Sequence, residues 1–314
     1  MADSPKERTE IVNLDQIMTD QQIKEERWTF TALSEAINTK ENCLIWLAKR
    51  RLIKNSCKCI NCHQPASFIS YEQGIDGFRW LCLDCNIRKS VRDNSFFGGS
   101  HISLLQLIQL IYCWSYDMPL DNIIHETKIY KETVIAYCNF CREECEKYIN
   151  RHGLLEIGGI GDNGEPIIVE INEPKQFKRK YLTCESCWVF GGKERHSRKG
   201  FLVEIPDNTK ASLTEAITKH ILPGTHIESR SIAAFANIAK IHSGIYSHSV
   251  VKQQVHTTNV EKLWMRAKRL LRRQFGSSTI QFSTSVNEFL FRNSIGDGHI
   301  FGAVLIAIAE DYVV

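Results

Sequence analysis

Apolar residues in the first half of the chain recur at helical spacing, and in the second half they alternate. Between residues 29 and 52, Phe30, Leu33, Ile37, Leu44, Leu47 and Ala48 mark apolar faces, and the polar run at 38–42 interrupts them. That pattern predicts two short helices joined by a turn. Further helical periods predict helices over 103–116, 120–127 and 131–150, with Pro119 separating the first two. Residues 56–93 differ. Cysteines, Gly74, Gly77 and short β-like runs at 67–71 and 78–81 replace the helical period there. Gly158-Gly159-Ile160-Gly161 then breaks the chain. Beyond it, 166–173, 187–190, 201–205 and 226–229 read as strands. Residues 212–221, 231–241 and 261–274 read as helices, and the tail after 289 turns helical again. Strands mixed with helices of roughly ten residues predict a three-layer α/β domain.

These shifts divide the chain into a polar, solvated tail at 1–28, a helical segment at 29–55 and a cysteine-rich module at 56–93. A helical domain at 100–152, an α/β domain at 163–292 and a C-terminal helix at 293–314 follow. The expected class is multi-domain α+β. With 314 residues, 43% of them apolar, the chain can bury at least one full-sized core, which excludes disorder as a description of the whole. The balance of 39 Lys plus Arg against 36 Asp plus Glu is too mild to demand nucleic acid by itself. No run approaches the roughly 18 unbroken apolar residues of a membrane span, so no membrane partner is expected. The opening MADSPKERTE lacks the apolar core of a secretory signal. Twelve cysteines without such a signal read as reduced thiols or metal ligands rather than a disulfide framework.

Four of those cysteines have a spacing with chemical meaning. Cys59-x2-Cys62 and Cys82-x2-Cys85 are two pairs with 19 residues between them. A two-residue gap turns both thiolates of a pair toward one tetrahedral ion, at about 2.3 Å for zinc, and a hairpin brings the second pair across. Four thiolates leave no open position, so structural zinc in a zinc ribbon is expected. Cys57 competes with Cys59 for one ligand position through a CKC pair of less usual spacing. Cys184-x2-Cys187 has no partner pair nearby and reads as two stray thiols. Cys138, Cys141 and Cys145 fall at i, i+3 and i+7, the spacing of a buried helical stripe.

Residues 120–127, a break at 128–130 and a helix opening at Lys131 have helix-turn-helix proportions. Lys128, Tyr130, Lys131 and Thr133 would stand at the N-terminal end of the second helix, where base edges are read. Two adjoining amphipathic helices also serve simply as core, but the cysteine module just before them favours double-stranded DNA as partner. Residues 261–274 carry Lys262, Arg266, Lys268, Arg269, Arg272 and Arg273 against the single acid Glu261, with Trp264 and Leu271 on the face expected to be buried. A helix seeking only solubility would mix signs, so phosphate contact accounts better for the excess. Lys178, Arg179 and Lys180 add a second basic cluster after the first strand of the α/β domain.

From about residue 29 to residue 292 the chain resembles transposases of the Merlin superfamily and the related bacterial insertion-sequence transposases with an ISXO2-like domain. In the front half the resemblance rests on CINC…CLDC, SVRDNSFFGGS, SLLQLIQLIYCWSYDMPL and KETVIAYCNFCREECEKYI. In the rear half it rests on IVEINEPKQFKRKY, WVFGGKER, KHILPGTHIESRSIAAF, HTTNVEKLWMRAKRLLRRQFG and NEFLFR. It implies a ribonuclease H-like domain in which two Asp and one Glu bind two Mg²⁺ ions for DNA strand cleavage and transfer. Paired metals clamp the attacking and leaving oxygens of an in-line displacement. Multimers acting on paired DNA ends are implied with it, and residence in the nucleus is expected only from the DNA-binding reading.

Matched position by position, the first family acid falls at Asn172 and the second at Arg230, while the third, Glu261, is retained. The segment between Tyr246 and His256 is also shorter than the family's loop. An amide oxygen can still ligate a metal. A guanidinium roughly 4 Å from a divalent ion is repelled by about 8 kcal/mol at an effective dielectric of ~20, and it would pair with Glu261 instead. Glu170 and Glu228 each precede a lost acid by two residues on the same strand face, about 6.7 Å away. That is too far to reproduce bonds of about 2.1 Å without rebuilding the site, and Glu173 faces the other way. The expected function is therefore DNA binding by a transposase-derived protein with structural zinc and no productive Mg²⁺ pair. Two alternatives remain: an active transposase with Glu170 or Glu228 as relocated ligand, and a zinc-dependent protein-interaction module.

Overall fold

Each early helix starts at a hydroxyl residue that accepts one of the helix's orphan backbone N–H groups. Thr19 caps α1 (Asp20–Glu25) through Gln22, Thr29 caps α2 (Phe30–Ala36) through Ala32, and Thr39 caps α3 (Lys40–Lys49) through Asn42. The computed structural model describes residues 8–177, 187–229, 235, 238, 241, 244–251, 258–274, 282–296 and 298–312. It divides into two compact units, Met1–Glu144 with Gly298–Val314, and Cys145–Asp297.

In the first unit the expected turn at 38–42 is shorter than the pattern implied, because the Thr39 cap makes the polar residues after it the first turn of α3. The expectation of a solvated tail over 1–28 is corrected for its described part. Ile11, Val12 and Ile23 are buried, Arg8 forms an isolated bridge with Phe68, and Glu10 forms one with Ser56. Its apolar residues are too sparse to show a period, yet Ile11, Val12 and Ile23 fill gaps in the core. Arg50, just after α3, is buried with its guanidinium 3.8 Å from the Trp46 ring and its Nε donating to Glu26 at 2.8 Å. Strands β1 (Ser67–Ser70), β2 (Phe78–Leu81) and β3 (Arg88–Ser90) form an antiparallel meander. Then come α4 (Leu104–Ser115), α5 (Leu120–Thr127) and α6 (Lys131–Arg151), which continues into the second unit.

The second unit is built on one mixed sheet. Its elements are β4 (Ile157–Gly158), β5 (Ile168–Phe177), β6 (Cys187–Glu194), β7 (Gly200–Ile205), α7 (Lys210–His220), β8 (Ile221–Leu222), β9 (His226–Ser229), β10 (Ser247–Val250), α8 (Thr258–Gln274) and α9 (Phe282–Ile295). Five strands run in the order β10-β9-β5-β6-β7, with β6 antiparallel to β5 and β7, and β9 and β10 parallel to β5. Alternation along β5 decides its two faces. Val169 and Ile171 enter a core with Ile227 and with Leu213, Ala216 and Ile217 of α7. Glu170 points the other way, toward α8, whose Asn259 bonds to it. Helices thus lie on both faces of the sheet, as the mixed pattern predicted. The helix expected over 231–241 lies mostly outside the described residues, though Phe235, Ile238 and Ile241 are buried in this core.

The glycine break at 158–161 is partly ordered, because Ile157 and Gly158 pair with Ile221 and Leu222. Gly158 has φ +86°, and a Cβ there would overlap the Thr225 hydroxyl, which accepts from Gly159 N–H at 2.7 Å. Gly158→Ala is expected to cost about 2–5 kcal/mol, the left-handed backbone penalty plus overpacking, measurable by urea unfolding. The expected C-terminal helix is two helices, separated at Gly296 and Gly298, both with positive φ. The second, α10 (Ile300–Asp311), is apolar nearly all round and buried in the first unit. Gly302 permits that packing, since a Cβ there would lie 2.6 Å from the Ile23 carbonyl oxygen. Among the described residues no helix is long and apolar enough to cross a membrane.

Candidate functional site

Both cysteine pairs turn the chain in the same way. Cys59 N–H donates to Gln64 O and Cys82 N–H to Ile87 O, each at 2.9 Å. The residues after the second cysteines, His63 and Asn86, reverse the chain with φ of 59° and 54°. These turns aim amides at sulfur: Asn61 N–H reaches Cys59 Sγ and Cys85 N–H reaches Cys82 Sγ, both at 3.4 Å. The meander then carries the second pair to the first. The Sγ atoms of Cys59, Cys62, Cys82 and Cys85 all lie within 4.8 Å of one another, with Cys62 and Cys82 3.5 Å apart. Zinc–sulfur bonds of about 2.3 Å require tetrahedral sulfur separations of about 3.8 Å, so both the span and the donor type fit. The four cysteines could hold a metal ion such as zinc. Cys57 stands outside the group, its thiol directed at the Lys58 carbonyl at 3.6 Å, which leaves Cys59 as the fourth donor.

Backbone N–H groups of Cys62 and Asn61 pull the Cys59 thiol down to about 6, whereas the neighbouring thiols, Cys62 first, help push Cys85 up to about 12. A metal-free quartet therefore favours negative charge at Cys59 and a proton at Cys85, which a bound metal would displace. No other group of three or more His, Cys, Asp or Glu among the described residues brings ligand atoms this close.

The junction of α5 and α6 is set by Lys128, which takes φ 56° and donates its N–H to Ile124 O at 2.9 Å. Ile123, Ile129 and Val134 are buried beneath the junction, and Gln106 of α4 holds the Thr127 carbonyl at 3.0 Å. Lys128, Tyr130 and Lys131 are exposed at the N-terminal end of α6, with Thr133 half-buried beside them. Tyr130 is 81% exposed.

On the sheet face toward α8, the parallel register of β5 and β9 sets Glu170 directly beside Glu228. Arg195, which follows β6, joins them. Its Nε donates to Glu170 Oε1 at 3.1 Å, and its Nη2 donates to Glu228 Oε2. The three side chains are 0%, 11% and 18% exposed for Glu170, Glu228 and Arg195. Burial disfavours the Arg195 cation, but its bonds to Glu228 and Glu170 outweigh that and raise its pKa above the arginine value. Asn259 Nδ2 adds a bond to Glu170 Oε1 at 3.3 Å, while Glu170 Oε2 is buried with no hydrogen-bond partner among the described residues. Lys193 stands opposite Glu170 on β6, yet its ammonium donates to Ser197 O at 2.6 Å. Asn172 is buried further along the same face of β5.

Glu261 of α8 is half-buried, and Val260, Leu263, Trp264 and Ala267 form the helix's buried face. Lys262, Arg266 and Arg269 are exposed and Lys268 is half-buried. Arg230, Lys178, Arg179, Lys180 and Cys184 lie outside the described residues, as do the side chains of Leu271, Arg272 and Arg273. The sequence pattern did not single out Arg195. Its signal was indirect: antiparallel pairing of β5 with β6 carries the chain after Glu194 back alongside the start of β5, where Arg195 N–H meets Ile168 O at 3.0 Å.

No protein-family model and no curated protein matches this chain. Several solved chains are similar to part of it, two of them as follows. One is the HTLV-2 integrase catalytic core domain in complex with magnesium, at 17% identity over 40% of this chain and 82% of that chain, with TM-score 0.30. The other is the catalytic core domain of BIV integrase, at 14% identity over 38% of this chain and 79% of that chain, with TM-score 0.29.

Proposed function

We propose that this chain is a transposase-derived protein, of Merlin or ISXO2-like descent, that binds double-stranded DNA without cutting it. The observation that carries the reading is Arg195, whose guanidinium engages the two carboxylates standing side by side on the sheet. Asn172 brings no charge to that face, and Arg230 replaces a family acid by a cation. A pair of Mg²⁺ ions needs several carboxylate oxygens free to coordinate, and this residue set does not fit it. The strand order, with β6 alone running against its neighbours, supports a ribonuclease H-like domain. The two matched cysteine turns on a short meander support a zinc ribbon. The exposed Lys128, Tyr130 and Lys131 at the start of α6 support a helix-turn-helix.

In this reading Cys59, Cys62, Cys82 and Cys85 hold zinc, which supplies rigidity and no chemistry because the coordination is closed. Lys262, Arg266 and Arg269, exposed along α8, meet phosphates, and the residues at the start of α6 meet base edges. Binding to duplex DNA, followed by fluorescence anisotropy, is expected to weaken steeply with salt. Changing Lys262, Arg266 and Arg269 together to Glu is expected to flatten the log–log slope by about 3, roughly one for each phosphate no longer neutralised. Supercoiled plasmid is expected to stay intact with Mg²⁺ or Mn²⁺ and the native chain, and to be nicked only when Asn172→Asp and Arg230→Asp are combined. Nicking by the native chain that disappears in Glu261→Ala would overturn the non-cutting reading. The register that places Glu170 beside Glu228 favours one rival, an active enzyme with relocated ligands. Loss of such nicking in Glu228→Gln would select it. Residence in the nucleus follows from the DNA-binding reading, and multimers on paired ends from the descent.

A further inference from the structure

We infer that a basic cavity between the β1–β3 meander and the loop after β3 binds a terminal phosphate group, a doubly charged monoester. The cavity has a volume of about 500 Å³ and lies wholly within the first unit. That size suits a small group rather than a length of chain. The run SVRDNSFFGGS, residues 90–100, supplies one side of it, and Tyr71, Ile75 and Arg79 belong to the other. One guanidinium gives the cavity its shape. Arg92 is buried, and it donates from Nε to Asp76 Oδ2 at 2.7 Å and from Nη2 to Asp76 Oδ1 at 2.5 Å. Its Nη1 donates to the Ser100 carbonyl at 3.0 Å, so it ties the turn between β1 and β2 to the far end of the loop.

The charges lining the cavity do not balance. Asp76 is taken by Arg92, and Asp93 pairs with Lys89 at 3.7 Å. Arg79 and Arg88 line the same cavity with no carboxylate left for them. Lys40, which donates to the Gly74 carbonyl at 3.2 Å, and Glu72, next to Tyr71 in the chain, stand outside the lining and offset one another. Register brings the two remaining arginines together. Arg79 pairs with Ser90, and Arg88 precedes Ser90 by two residues, so all three share one face of the sheet. The Arg79 guanidinium lies 4.1 Å from the centre of the Tyr71 ring, which sets its plane. Its Nε is nevertheless buried with no hydrogen-bond partner among the described residues. A buried donor without an acceptor is costly, and an oxyanion supplies acceptors that match the guanidinium fork. The Ser90 hydroxyl accepts from Arg92 N–H at 3.1 Å, which leaves its own hydrogen to donate to a ligand. An excess of two positive charges suits a phosphate monoester, with about −1.5 to −2 at neutral pH, better than a singly charged diester. A phosphate ion in solution and the phosphorylated end of a DNA strand present this same group, so the site does not depend on the DNA-binding reading.

The test uses the full zinc-loaded chain, with inorganic phosphate and dimethyl phosphate as probes, in calorimetric titration and thermal melting. The native chain is expected to take up one inorganic phosphate, with a rise in Tm on addition. Arg79→Gln and Arg88→Gln are each expected to weaken that binding at least roughly tenfold, and dimethyl phosphate, a singly charged diester, to bind at least roughly tenfold more weakly than phosphate. Lys210→Gln, an exposed position on α7, is expected to change nothing. Arg88 is exposed on the short strand β3, so Arg88→Gln keeps the test readable if Arg79→Gln does not fold. Zinc content measured on the same samples separates loss of the phosphate site from loss of the metal. With phosphate bound as expected, a DNA strand with a 5′-phosphate that displaces it better than the same strand with a 5′-hydroxyl makes the DNA end the carrier. Equal displacement makes the free ion the ligand. A folded native chain that takes up no phosphate overturns the inference. So does binding that is unchanged in Arg88→Gln, or dimethyl phosphate bound as tightly as inorganic phosphate.

Discussion

Cys82→Ser is expected to abolish stoichiometric zinc and to destabilise the first unit by more than about 5 kcal/mol, while Cys57→Ser leaves zinc content unchanged and costs under about 2 kcal/mol. The difference follows from what each thiol touches. Cys82 closes the quartet, with its Sγ 3.5 Å from that of Cys62, and Cys57 only meets a carbonyl. The sheet that depends on the quartet is small. Its strands have 4, 4 and 3 residues, and a meander of that size is marginal in water without another source of stability. Phe68 stacks on Phe78 with centroids 4.8 Å apart and tilts against Trp80 at 5.3 Å, a compact cluster but a small one. Structural zinc contributes an apparent ~10–16 kcal/mol in comparable small modules, more than the cluster can supply. The sign with pH is fixed by the protons released on binding. Metal-derived stability grows as pH rises and is lost as acid returns protons to the thiols. Metal content by mass spectrometry and Tm with and without chelator check both halves. Equal effects from Cys57→Ser and Cys82→Ser would mean that the quartet holds no metal.

How much of this was legible in the sequence depended on whether a feature is local. The cysteine quartet was legible because its two turns are written within six residues each and the ion needs four matching donors. The helices at 103–116, 120–127 and 131–150 were legible because their apolar faces repeat within one element, and they appear within a residue or so. Other elements carried no such signature. Strand β3 is Arg-Lys-Ser, polar and three residues long, and joins the sheet by pairing with β2. Strand β10, Ser-His-Ser-Val, lies at the sheet edge, and its polar side chains, bonded to His226 and Ser229 of β9, leave no apolar alternation to mark it. Ile11, Val12 and Ile23 looked like strays in a tail because burial by distant residues leaves no trace in local spacing. The acidic face was half legible. Asn172 and the shared strand face of Glu170 follow from alternation, but the pairing of Glu170 with Glu228 depends on register, and Arg195 depends on the path of the chain after β6.

Arg195→Met is expected to cost the second unit about 3–5 kcal/mol in metal-free buffer, the range for removing one partner of a buried ion pair. The size comes from what is left behind. Without the guanidinium, Glu170 and Glu228 remain abreast and buried, each short of a donor and repelling the other, with only Asn259 still bonding to Glu170. Methionine fills much of the same volume, so the loss reports charge and hydrogen bonding more than packing. Glu228→Gln is expected to cost less, about 1.5–3 kcal/mol, because Arg195 and Glu170 then form a neutral pair and only one charged hydrogen bond is weakened. Combining Glu170→Gln, Glu228→Gln and Arg195→Met is expected to recover most of the single-variant loss, since no uncompensated charge is then buried. Non-additivity of this sign, read from urea titrations followed by tryptophan fluorescence, is the signature of one electrostatic unit rather than three separate pairings. Added salt is expected to change these differences little, because the pairs are mostly shielded from solvent. A cost below about 1 kcal/mol for Arg195→Met would mean that the guanidinium does not hold the carboxylates together.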